Sequence, residues 1–210
     1  MNAGPESPAT PLVLVVVGTD HHPFGRLVTW MDRWARDHPD ARCFVQHGTA
    51  SAPRVCEGTD FLAHPELRSL MAEARAVVSH GGPGTIMEMR ASGHLPVVVP
   101  RDPDLGEHVD AHQQRFARVV AGRGLVRLVE TESDLGQALD EALSNGRAAR
   151  DAAASSTGSS TGSSTGSAAG SGTGASTGSA AAAQAFGALV EAQVRDGAGH
   201  RGLLRLRRHR

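Results

Sequence analysis

The chain has 210 residues, enough for one domain with a substantial core and further segments besides. Its 21 basic and 22 acidic residues nearly cancel, which argues against nucleic-acid binding by the protein as a whole. Every cationic side chain other than histidine is arginine, and the absence of lysine excludes a Walker-type phosphate loop, a Schiff base and a lysine nucleophile.

Residues 1–11 are proline-rich and read as a flexible N-terminus. Residues 12–17, L-V-L-V-V-V, are continuously apolar and β-branched, as in a strand covered on both faces of a parallel sheet. Gly18-Thr19 stops that run, and the loop D-H-H-P-F follows. Over residues 24–36, Leu27, Val28, Met31 and Trp34 recur at helical spacing. Arg42–Gln46 reads as a second strand, with Cys43 inside its apolar run. A loop with little pattern occupies 48–58, then a short strand is predicted at 60–63 and a helix at 65–74.

A strand at Ala76–Ser79 leads into the stretch V-V-S-H-G-G-P-G-T-I-M-E, around which the rest is arranged. Gly81, Gly82 and Gly84 permit a tight turn and close approach to a ligand, and Thr85 is expected to open a helix. A strand that breaks at glycines and resumes as a helix aims unpaired N–H groups and the positive end of a helix dipole at one place, an anion site. The same residues also allow a purely structural account, because Thr85-x-x-Glu88 is a capping box.

After Gly93, residues 95–99 predict a strand stopped by Pro100. A polar loop, R-D-P-D-L-G-E-H-V, leads to Asp110, which can cap a helix over 111–121. A strand at 125–129 and a helix at 133–143 complete the pattern. The alternation predicts an α/β fold, a single Rossmann-like doubly wound parallel sheet spanning a domain of residues 12–150. Residues 151–183 are almost entirely Ser, Thr, Gly and Ala and read as a disordered linker. Residues 184–210 suggest a short helix and a strongly basic tail.

Cys43 and Cys56 are too few for a disulfide framework and lack metal-ligand spacing. Adjacent His21 and His22 are not expected to face one ion, and no metal is predicted. No secretory signal is evident, and the longest apolar run is too short to cross a bilayer, which predicts a cytoplasmic protein. The first strand is not followed by G-x-G-x-x-G, which weakens a dehydrogenase reading, and Ser79 does not lie in G-x-S-x-G. Phosphate and hydroxyl recognition remain. The glycine turn suits a diphosphate, Glu88 suits ribose hydroxyls, and Asp110, His112 and Gln113 suit sugar hydroxyls.

The ordered motifs V-G-T-D-H-H-P-F-G-R-L-V, F-V-Q-H-G, S-H-G-G-P-G-T-I-M-E, P-V-V-V-P-R and G-E-H-V-D-A-H-Q resemble bacterial exopolysaccharide glycosyltransferase subunits of the PssE-like type. These are similar to the C-terminal, donor-binding half of glycosyltransferase family 28, one half of a GT-B fold. The resemblance covers roughly residues 12–143 and omits the Ser/Thr/Gly tract and basic tail. It implies that Gly18 and Thr19 border the cleft, and that His80, Gly81, Gly82, Gly84 and Thr85 approach the nucleotide diphosphate. It also implies that Glu88 binds the ribose and that Asp110, His112 and Gln113 belong to the donor-sugar segment. Glu107 and His108 share that last motif, without an assigned role.

The implied activity is inverting, metal-independent transfer of a hexose from a UDP-sugar to a lipid-linked saccharide, with no cofactor beyond the substrate. The implied partner is a membrane-anchored glycosyltransferase subunit that completes the cleft and recruits the chain to the inner face of the plasma membrane. No catalytic base is assigned; His21, His22 and His80 are candidates. A non-catalytic activator subunit and an unrelated nucleotide-binding α/β module remain as alternatives.

Overall fold

The computed structural model describes residues 10–157. Among these residues six strands and five α-helices follow in the order β1 (Leu12–Val16), α1 (Gly25–Asp37), β2 (Arg42–Gln46), β3 (Glu57–Thr59), α2 (His64–Glu73), β4 (Ala76–Ser79), α3 (Pro83–Ala91), β5 (Val97–Val98), α4 (His112–Ala121), β6 (Arg127–Leu128) and α5 (Glu132–Thr157). All strand pairs are parallel, in the order β3-β2-β1-β4-β5-β6. This is the doubly wound α/β arrangement expected from the sequence.

β1 is the hinge of the topology. Every one of its residues is buried, because β2 and β4 flank it and helices cover both faces. Alternate side chains go to opposite layers. Val13 and Val15 join Leu27, Met31, Trp34, Leu135 and Leu139 from α1 and α5. Leu12, Leu14 and Val16 join Met71 and Met89 from α2 and α3 on the other face. A third cluster seats α4 through Phe116 and Val120 against Ile86 and Val98. Fully buried side chains such as Leu14, Leu27 and Met31 each contribute about 1.5–3 kcal/mol of transfer free energy.

The chain winds from β1 out to β3, then returns to β4 on the other side of β1. A crevice therefore opens beyond the carboxyl ends of β1 and β4, which is where sheets of this kind take ligands. Gly18 and His80 stand at those two ends.

Several boundaries differ from expectation. The third strand is Glu57–Thr59 rather than 60–63. It has no apolar run of its own and forms because Asp32 on α1 gathers the backbone N–H groups of Arg54, Val55 and Cys56 at 2.7–3.0 Å. That presents the next three residues to β2 in register, Phe44 opposite Glu57. The fifth and sixth strands are short, with only Val97–Val98 and Arg127–Leu128 paired. The last helix runs past 143 to Thr157, into the stretch expected to begin the linker. The remainder of that tract, the short helix and basic tail, and residues 1–9 of the flexible N-terminus lie outside the described residues. Cys43 is a core residue as expected; its thiol lies 2.6 Å from that of Cys56, and both are buried.

Candidate functional site

The β4–α3 turn is built around one imidazole. His80 is 9 % exposed, and its ring fills the space left by two glycines. A Cβ on Gly18 would lie 2.6 Å from His80 Cε1, and one on Gly82 only 2.5 Å from Nε2. Gly18 and Gly82 are therefore needed to admit the ring. Gly81 serves a different need: its φ of +94° is left-handed backbone that a side chain disfavours. Ser79, itself buried, accepts the Gly81 N–H on Oγ at 3.3 Å.

Burial, helped by the charge of Arg101, pushes the His80 imidazole down to about 4, so it is neutral at pH 7. Its Nδ1 lies 3.4 Å from the Val16 carbonyl. A carbonyl only accepts, so that nitrogen carries the proton and Nε2 faces Gly82 bare. A neutral, enclosed His80 is a packing wedge under the turn.

α3 starts at Pro83, two residues before Thr85, and its N-cap Gly82 has no side-chain cap hydrogen bond. The capping box read from Thr85 and Glu88 is therefore not formed. Proline suits the first helical position because its missing N–H would have no intrahelical partner there. The Ile86 N–H bonds the Gly82 carbonyl at 3.0 Å, closing the first turn. The amides of Gly84 and Thr85 precede that bond and have no helical acceptor. A Cβ on Gly84 would meet nothing within 4 Å among the described residues, unlike those on Gly18 and Gly82. Gly84 thus opens onto free space at the positive end of the helix. Glu88, half-buried one turn further on, lies 3.5 Å from His64 Nδ1.

The β5–α4 loop forms the other wall, and buried charge holds it. Arg101 is 1 % exposed and directs its guanidinium N–H groups at carbonyls of both walls. Nη1 donates to His22 O at 2.6 Å and Glu107 O at 2.9 Å, and Nη2 donates to Val17 O at 2.8 Å. Its carbon sits 4.9 Å from the Phe24 ring centre. Burial pulls its pKa down, against the opposing charges of Asp20 and Glu107.

Glu107 turns inward rather than toward the mouth. It takes a two-pronged pair from Arg26 at 2.9 and 2.7 Å and accepts the Asp102 N–H at 2.8 Å. Gln46 braces the first loop from beneath, exchanging bonds with Gly18 N at 3.3 Å and Gly18 O at 3.2 Å. A polar pocket of about 260 Å³ lies beside this loop, lined by Arg26, Pro100, Asp102, Gln114, Arg118 and Glu130; no residue of the glycine turn lines it.

Asp110, expected as a cap or a sugar ligand, accepts the His112 N–H at 2.8 Å, with the His112 ring at 2.5 Å. α4 begins at His112, so Asp110 organises its first turn, but the cap residue is Ala111, which makes no side-chain cap hydrogen bond. The Gln113 Oε1 is buried and accepts no hydrogen bond among the described residues. Burial opposes ionisation of Asp110, yet the His112 amide and ring outweigh it and lower its pKa.

Thr19 lies exposed at the rim, and Asp20 beside it is bound by His22 through both the amide, at 2.8 Å, and ring Nδ1, at 2.6 Å. Burial works against the Asp20 carboxylate, but the His22 bonds and the Arg101 charge hold it down at about 2. Adjacent His21 and His22 do converge, contrary to expectation: one ligand atom from each, with one from Asp20, lie within 4.8 Å of one another.

The predicted residues accordingly fall into two walls, Gly18–Thr19 with the β4–α3 turn, and the 107–113 segment. Sequence reasoning missed Arg101, Arg26, Gln46 and Asp20, which hold those walls. The available signal was an arginine set directly after a buried apolar strand, where a cation needs a purpose.

Solved structures of glycosyltransferases are similar to this chain. The glycotransferase of kitacinnamycin is 22 % identical with a TM-score of 0.50, over 65 % of this chain and 36 % of that one. CalG4, the calicheamicin glycosyltransferase, is 20 % identical at 0.48, over 66 % and 36 %. MurG of Acinetobacter baumannii is 22 % identical at 0.47, over 68 % and 44 %. The chain thus spans less than half the length of each of these proteins. No curated protein matches the sequence. The model of the glycosyltransferase family 28 C-terminal domain matches residues 12–165, most of the chain and all of the sheet, and the chain belongs to that family.

Proposed function

We propose that this chain is the donor-binding part of a UDP-sugar-dependent hexosyltransferase of the PssE-like exopolysaccharide type. The observation that carries the reading is the start of α3, where Gly84 faces open space and two amides lack helical acceptors. The diphosphate lies against those amides and the helix dipole, Glu88 takes the ribose hydroxyls, and Gln113, with its unpartnered Oε1, takes a sugar hydroxyl.

The reaction is an inverting transfer. The acceptor oxygen of a lipid-linked saccharide bonds to the sugar's anomeric carbon as the bond to the diphosphate breaks. UDP leaves, and the acceptor proton passes to a base. The helix terminus supplies the charge stabilisation, so the transfer is metal-independent and uses no cofactor. A membrane-associated partner subunit supplies the acceptor side of the cleft and draws the chain to the inner face of the plasma membrane. Among the described residues no helix is long and apolar enough to cross a membrane, in keeping with anchoring through a partner.

Calorimetric titration of UDP into the chain and into Glu88→Ala tests the reading. Affinity lower by about tenfold in the variant, near 1.4 kcal/mol, is expected. Equal affinity removes the ribose role, and rapid transfer by the purified chain alone removes the partner.

A further inference from the structure

We propose that Asp20, His21, His22 and His108 form a binding site for a divalent transition-metal ion of the zinc type, a clasp between the β1–α1 and β5–α4 loops. Three of these donors, Asp20, His21 and His22, lie within 4.8 Å of one another, and His108 approaches Asp20 from the facing loop. Asp20 Oδ1 lies 2.6 Å from His22 Nδ1 and 3.7 Å from His21 Nδ1. Asp20 Oδ2 lies 3.7 Å from His108 Nε2, and the His22 and His108 ring centres are 6.1 Å apart. A tetrahedral ion with bonds near 2.0–2.1 Å sets its ligand atoms about 3.4 Å from one another. The separations around Asp20 straddle that value, and closing the shell requires the His22 and His108 rings to turn toward a common point beside Asp20.

The chemistry of the donors selects the ion. Imidazoles with one carboxylate suit zinc, cobalt and nickel, whereas calcium and magnesium take oxygen ligands. The short Asp20–His22 contact is a hydrogen bond between two would-be ligands, and the ion takes the place of its proton. His108 has the outer partner a metal-bound histidine requires, since its Nδ1 lies 3.2 Å from the Asp110 carbonyl. In the tautomer that donates to this carbonyl, the Nε2 lone pair faces Asp20. In the other tautomer the Asp110 N–H, 3.3 Å away, donates to Nδ1, and an ion selects against it.

Arg101 is the opposing charge nearby, but its Nη groups donate to the carbonyls of Val17, His22 and Glu107 and its buried Nε makes no bond to Asp20, leaving the Asp20 oxygens to the histidines. Four protein ligands leave no open coordination position, which marks a structural ion and not one that activates water. The clasp would fix the 108–113 segment against the first loop while the helix terminus keeps its role in charge stabilisation.

The test uses the untagged full chain and the metal alone, so it stands or falls apart from donor binding. Zinc is titrated by calorimetry and cobalt by absorbance. One equivalent bound with a Kd on the order of 1 µM, and the intense visible bands of tetrahedral cobalt, are expected. His108→Ala, His22→Ala and Asp20→Asn each weaken binding by about tenfold or more, and His64→Ala does not. His21→Ala, at a side chain 82 % exposed, tests the site without threatening the fold. Binding no tighter than about 100 µM, a pale octahedral cobalt spectrum, or affinity unchanged in His21→Ala and His108→Ala overturns the proposal.

Discussion

The two walls of the crevice are held by opposite means. The β4–α3 turn keeps its shape by exclusion: His80 fills the gap between Gly18 and Gly82, and its neutral ring adds no charge. The β5–α4 loop keeps its shape by buried charge, with Arg101 spanning three carbonyls and Arg26 gripping Glu107. The contrast suits a site for an anion. On the proposed reading, a wall that offers backbone amides to a diphosphate is best left free of competing carboxylates, and shape with neutral hydrogen bonds positions it. The facing loop carries Asp110 and Gln113 and can tolerate a web of ions behind them.

Four substitutions or conditions break or sharpen this contrast. Arg101→Ala has the largest expected effect, about 3–5 kcal/mol, because it strands the carbonyls of Val17, His22 and Glu107 and takes a positive charge away from the Glu107 neighbourhood. Urea unfolding measures it, and Arg101→Lys should recover only part of the loss because lysine lacks the planar fork. Gly82→Ala follows at about 1–3 kcal/mol, since its Cβ would collide with the His80 ring 2.5 Å away. Adding His80→Ala to Gly82→Ala should give less than the sum of the two single losses, because the ring is what the Cβ meets.

Acidification comes next. His80 has its folded pKa lowered to about 4 from an ordinary 6.5, so the unfolded chain binds the extra proton first as pH falls. The stability it confers is complete above about pH 6.5 and is lost progressively down to about pH 4. Between pH 7 and 5 this amounts to about 2 kcal/mol, and His80→Gln should flatten the slope over that window. Asp20 is lowered instead, to about 2, so its contribution persists throughout that window and is lost only below about pH 4.

Gly84→Ala has the smallest effect on stability and is the most telling for function. Nothing among the described residues stands within 4 Å of the added carbon, and alanine is favoured over glycine in a helix by about 0.5–1 kcal/mol. Thermal unfolding should therefore show equal or higher stability. UDP affinity should nonetheless fall by about tenfold, because the methyl group occupies the space in which the proposed function seats the diphosphate. Retained affinity would place the diphosphate elsewhere.

Much of this architecture was legible in the chain. The buried run at β1, the apolar spacing of α1 and the strand–glycine–helix break at His80 to Thr85 are local signals, and each element formed where such signals were strong. β3 was misplaced because E-G-T carries no strand signal; a side chain of α1, Asp32, arranges it. The capping box was misread because Pro83 starts α3 earlier than Thr85 would.

The sequence by itself determined the alternation of elements, the glycine turn and the set of polar residues near the strand ends, because periodicity, backbone freedom and side-chain chemistry act over a few neighbouring residues. Only the tertiary structure decided what each glycine is for and which charges are structural. Whether a Cβ at Gly82 or Gly84 meets a ring or open space, and whether Glu107 faces a ligand or Arg26, depends on atoms brought together from distant parts of the chain.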